Sequence, residues 1–133
     1  MRESYKREVV VALKYGKLYF WHKFDAARVE RRLNVDDFLV VRKESLGTIT
    51  EPRPERGVDL RSENVERLLD EAFKNSGADA YRDRIAILVS DDSYEEYSTL
   101  RDYLKRNRYE IEPVVAKKGT RMFDRGGSGG RGQ

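Results

Sequence analysis

Asp91 and Asp92 are the residues of this chain best placed to do chemistry. They follow residues 85–89, a short run of branched apolar side chains that reads as a strand buried on both faces. Ligands of open α/β sheets bind beyond the carboxyl ends of strands, and paired carboxylates there can hold Mg²⁺. The plainer role for Asp91, Asp92 and Ser93 is to start a helix, by capping and by placing negative charge at its positive end. Ser93 with Glu96 three positions later forms a capping-box pattern, so the capping role is preferred over the metal site. His22, in the run YFWHKF, is the only histidine of the 133 residues. An imidazole works as a general base when a second group orients it. The sequence shows no such partner, so His22 is assigned to a strand end beside Trp21. With one histidine and no cysteine there is no zinc-ligand set and no thiol nucleophile. The P-loop pattern is absent, and the G-x-G-x-x-G and G-x-S-x-G spacings occur only in the glycine-rich close, residues 126–132, where no strand and helix are expected to carry them. No cofactor is expected, and an enzyme is the less favoured class.

Basic residues offer a different chemistry. The formal charge of +3 is concentrated in residues 117–133, which carry Lys117, Lys118, Arg121, Arg125 and Arg131 against Asp124. The closing run DRGGSGGRGQ is similar to an RGG-type segment, in which arginines contact phosphates and bases while glycines keep the chain mobile. These five residues form the candidate nucleic-acid site, with a flexible solubilising terminus as the preferred alternative. Lys105, Arg106 and Arg108 lie beside Tyr103 and Tyr109, a combination that can hold RNA. They also suit the negative end of a helix, which is the favoured role. A third candidate is the loop over residues 47–57. Its charged, proline-bearing centre, Glu51, Pro52, Arg53, Pro54, Glu55 and Arg56, would present a stiff, extended surface to a partner protein.

The elements that carry these groups follow from periodicity and turn chemistry. Residues 8–13 and 17–21 read as a hairpin around Tyr15-Gly16, with Gly16 free to take a positive φ. Asp25 is expected to cap a short helix over residues 26–33, stapled by Phe24 and Val29 and closed by Asn34. A third strand is expected over residues 38–41. The two prolines of residues 45–60 argue against a central strand, and a semi-extended surface loop is expected there. Val65, Leu68, Leu69, Ala72 and Phe73 mark a helix over residues 62–74, stopped by Asn75-Ser76-Gly77. Residues 84–115 form the organising unit: buried strand, helix with Tyr97, Leu100 and Leu104 at helical spacing, then a second strand. Such a unit favours a right-handed crossover and a parallel pair. The fold expected is α+β, with a single mixed sheet of about five strands, about three helices, and a disordered tail. One domain is expected over residues 1–116, and a basic glycine-rich tail over 117–133.

Within that unit, ILVSDDSYEEYSTLRDYLKRNRYEI resembles the opening of a response-regulator receiver domain, in which two acids follow the first strand. The likeness spans about 25 residues. The receiver's phospho-accepting aspartate and later lysine have no counterpart after Glu112. The hairpin closing on YGKLYF, taken with the late strand, helix and strand, resembles the soluble domain of ExbD/TolR proteins. The matching positions are Val89, Asp91, Tyr97 and Leu104, and residues 38–81 fall outside the likeness. That resemblance implies a non-catalytic interaction domain. The expected function is therefore a small cytoplasmic protein-interaction or adaptor module, with an unidentified protein partner. The alternative is a nucleic-acid-binding accessory protein that grips through its tail. No apolar stretch is long enough to span a bilayer, so membrane insertion is not expected.

Overall fold

The structure, a computed structural model, describes residues 6–24 and 31–126. Strands β1 (Arg7–Lys14) and β2 (Lys17–Phe20) form the expected hairpin. Both turn residues take positive φ, 60° at Tyr15 and 71° at Gly16. This is the primed two-residue turn, whose twist matches that of the flanking strands. Strand β3 (His22–Phe24) then pairs antiparallel with β4 (Arg31–Leu33). The helix expected over residues 26–33 is thus corrected at its end, where Leu33 lies opposite His22 in a ladder. Packing overrides the local helical signal, because Leu33 joins a cluster with Tyr19, Phe38 and Met122 on a sheet face. Asp25, Val29 and the rest of that expected helix lie outside the described residues.

Strands β5 (Phe38–Glu44) and β6 (Gly47–Pro52) make a second hairpin, and β7 (Val58–Asp59) follows. The loop expected over residues 45–60 is corrected here, since the segment holds two strands. Pro52 is tolerated because it ends β6, pairs with Phe38 on one side, and on the other lies past Thr50, the last residue paired with the strand at residues 122–124. The remaining elements are α1 (Val65–Ser76), β8 (Asp83–Val89), α2 (Tyr94–Arg106), β9 (Glu110–Val115) and β10 (Met122–Asp124). The fold is mixed α+β. Its largest sheet has five strands in the order β7-β2-β1-β8-β9, with β1, β8 and β9 parallel. Sheets β10-β6-β5 and β3-β4 accompany it, so the described residues hold three sheets and two helices rather than one sheet and three helices.

Alternation along β1 and β8 decides which layer goes where. Val9, Val11, Leu13, Ile85, Ile87 and Val89 point to one face, where Leu69 and Phe73 of α1 and Leu100, Tyr103 and Leu104 of α2 bury them. Ala12 and Tyr19 point to the other face, where Phe38 and Met122 bring the β10-β6-β5 sheet against them. Met122–Asp124 is therefore a paired strand inside the stretch expected to be flexible from residue 117. Arg131 lies beyond the described residues.

Candidate binding site

The capping box at Ser93 does not form, since α2 has no side-chain bond at its cap. The Ser93 hydroxyl instead accepts the Gly16 N–H at 2.9 Å and donates to Asp92 Oδ1 at 2.8 Å. The Asp92 carboxylate accepts the Tyr15 N–H at 3.1 Å. Glu96 turns to Arg61, at 2.8 Å. These groups fasten the strained β1–β2 turn to the start of α2, which explains how a tyrosine holds a positive φ there. Asp91 stays exposed beside them. Among the described residues, no cluster of three or more acidic, histidine or cysteine side chains joins the Asp91–Asp92 pair. The visible work of Asp92 is to position the turn.

His22 has the orienting partner that its sequence neighbourhood lacks. Its Nε2 lies 3.0 Å from Asp124 Oδ1, joining β3 to β10 across 102 positions of chain. The residues are 5% and 8% exposed respectively. The hydrogen bond from His22 holds the Asp124 carboxyl below its ordinary value against the opposing effect of burial; the Gly126 N–H and the nearby Arg31 charge help. A carboxylate only accepts, so the shared proton sits on Nε2 and Nδ1 is the nitrogen left for other contacts.

His22 also forms part of the wall of a cavity of about 650 Å³ between β2, the β3–β4 hairpin, residues 55–58 and the end of α1. Leu18, Phe20, Phe24, Val58 and Ala72 give it an apolar floor. Its polar groups include Asn34, Asp37, Glu55 and Arg56. Asn34 sits just after β4, 3% exposed, and its Nδ2 donates to the Phe20 carbonyl and to Asp37 Oδ2, both at 2.9 Å. Two acceptors fix the amide's orientation, and Asn34 Oδ1 is left buried with no donor among the described residues.

The end of the proline-bearing segment expected to dock a partner, Glu55 and Arg56, lines the other wall of this cavity with Gly57 and Val58. Glu51 and Pro52 belong to β6, and the rest is fastened down rather than free. The Tyr19 hydroxyl, pushed up by burial, donates to the Arg53 carbonyl at 2.9 Å. Lys17 Nζ donates to the Pro54 carbonyl at 2.6 Å, and the Arg53 N–H to the Asp37 carbonyl at 2.7 Å. Arg56 reaches Asp37 Oδ1 at 2.9 Å, and Lys23 pairs with Asp36 at 2.5 Å, which lowers the Asp36 carboxyl. Gly57, at φ 96°, lies so close to the Tyr19 ring that a Cβ would approach it to 2.8 Å. Only glycine fits that turn without strain.

The basic candidates are dispersed by comparison. Arg121 is committed to Glu51 at 2.6 Å, which joins one candidate group to the other. Lys117, Lys118 and Arg125 are exposed, with no ion pair among the described residues. Near the end of α2, Tyr103 is a core residue that donates to Asp70 at 2.7 Å, and Arg106 pairs with Glu66. Sequence reasoning misses Asp124 and Asn34. It assigns the first to a flexible tail and the second to a helix stop, and no local pattern marks either as a neighbour of His22. No protein-family model matches the chain, and no curated protein or solved structure matches it.

Proposed function

We propose that this protein is a non-catalytic interaction module that takes part of a partner protein into the cavity beneath His22 and Asn34. The cavity carries the proposal: about 650 Å³, with an apolar floor and a few polar groups held in place before anything binds. Residues 53 and 54, which lead into its wall at residues 55–58, are hydrogen-bonded to Tyr19, Lys17 and Asp37, so little ordering entropy remains to be lost on binding. The resemblance to ExbD/TolR soluble domains implies the same class of function. A cytoplasmic setting is part of the proposal: the chain has no cysteine, and among the described residues no helix is long and apolar enough to cross a membrane.

Ala72, on the cavity side of α1, offers a direct test. Selection of a displayed random-peptide library on the intact protein should enrich peptides whose binding falls at least about tenfold on Ala72→Phe, which fills the cavity. Circular dichroism should show the variant folded. Enriched peptides that bind both forms equally would overturn the proposal. A second reading, nucleic-acid binding, is supported by the exposure of Lys117, Lys118 and Arg125 without ion partners among the described residues.

A further inference from the structure

We propose that two copies of this protein associate about a two-fold axis through the β8–β9 part of the large sheet, on the face away from the helices. This surface shares no lining residue with the cavity beside His22, and the proposal is independent of what that cavity binds. Phe38 and Met122 cover this face over β1 and β2. Over β9 it is open, with Val114 48% exposed and Val115, at the end of the strand, 66% exposed. Beside Val114 lies an apolar hollow of about 300 Å³, walled by Val10, Trp21, Ala86, Leu88 and Met122. An apolar surface rimmed by charge marks a protein contact.

The charges along β9 fit a second copy of the same chain. At its start, Glu110 and Glu112 join Glu8 around a single guanidinium, with Arg84 3.6–3.7 Å from all three. Lys6, 3.4 Å from Glu110, is the other cation there, so three carboxylates face two cations. Past the end of β9, Lys117 and Lys118 are exposed and have no ion partner among the described residues. The Thr120 N–H donates to the Lys117 carbonyl at 3.0 Å, in a turn that brings Thr120 and Arg121 to the rim of the hollow. Acid, apolar and base in that order along one strand complement themselves when the direction is reversed. A two-fold axis makes that reversal. With the axis near Val114, each Val114 meets the hollow of the other copy, and Glu110 and Glu112 face the second copy's two lysines.

Pro113 fixes the mode of contact. The Ala116 N–H donates to the Val89 carbonyl at 2.8 Å, so by alternation Ile111, Pro113 and Val115 turn their backbone groups to the free edge. Pro113 has no donor to offer there, which disfavours adding a strand to that edge. The copies therefore meet through side chains of the sheet face, and the assembly closes as a dimer.

Sedimentation equilibrium of the full chain tests this. At about 100 μM and low salt the native protein should be dimeric, with a dissociation constant that rises with ionic strength. Lys117→Glu/Lys118→Glu should raise that constant at least about tenfold, and Glu110→Lys/Glu112→Lys should do the same. Mixed in equal amounts, the two variants should associate as the native protein does, because every reversed charge then meets its opposite. Circular dichroism should show both variants folded. The lysine variant lies outside every strand and decides alone if the glutamate variant fails to fold beside Arg84. A monomeric native protein, a dimer indifferent to the lysine reversal, or a mixture of folded variants that stays monomeric would overturn the proposal.

Discussion

At the scale of single residues, the His22–Asp124 contact links local chemistry to stability. The Asp124 carboxyl is held below its ordinary value, chiefly by His22, so the folded state binds that proton less readily than the unfolded chain does. Its contribution to stability is fully present above the unfolded carboxyl value and is lost as pH falls through the depressed folded one. Asp124→Asn should cost about 2 kcal/mol of unfolding free energy at neutral pH. That gap should close as the denaturant titration is moved into acid, below about pH 4. A gap that stays constant with pH would show that the carboxylate contributes nothing through its charge. Asn34 is a related case. Its type and position suit a helix stop, but its buried oxygen acquires meaning only from the groups packed around it.

At the scale of elements, β10 is the piece whose role changes most between sequence and structure. Three residues, Met122–Asp124, pair with β6 and bring an apolar anchor and an acid into buried positions. Met122 closes the second core cluster with Tyr19 and Phe38, and Thr50 donates to its carbonyl at 2.8 Å. Ending the chain after Ala116 should therefore remove more than a tail. Loss of the buried methionine alone should cost about 2–5 kcal/mol. Urea unfolding of the truncated chain against the full one checks this, and equal midpoints would contradict the role given to β10. The α1, α2 and β8 segments behave differently. Their apolar periodicity is strong enough that sequence and structure agree to within a few residues. The β3–β4 pair lacks that advantage, because three-residue strands carry almost no periodic signal.

At the scale of the whole molecule, the charge distribution separates the two functional readings. A net charge of +3 is modest, and the cations around the cavity largely face carboxylates already in place. Lys117, Lys118 and Arg125, in the segment after β9, are among the exposed basic residues with no ion partner in the described residues. Replacing Lys117, Lys118 and Arg125 by alanine removes three of them while leaving β10 intact. If single-stranded RNA binds the native protein, the slope of log affinity against log salt should fall by about 2 in the variant. Fluorescence anisotropy over a salt series measures this. An unchanged slope would turn the nucleic-acid reading away from this segment.

By itself the sequence determined the α+β class, the β1–β2 hairpin, the two long helices and the strand–helix–strand unit. Hydrophobic periodicity and turn residues are local signals, and each of these elements carries one. Only the tertiary structure decided that Ser93 and Glu96 leave the cap for Gly16 and Arg61. It alone put a late acid beside His22, and fastened a proline-bearing stretch to Tyr19 rather than leaving it a free surface loop. Those outcomes depend on partners 34–102 positions away, where burial and hydrogen-bond satisfaction outweigh local preference.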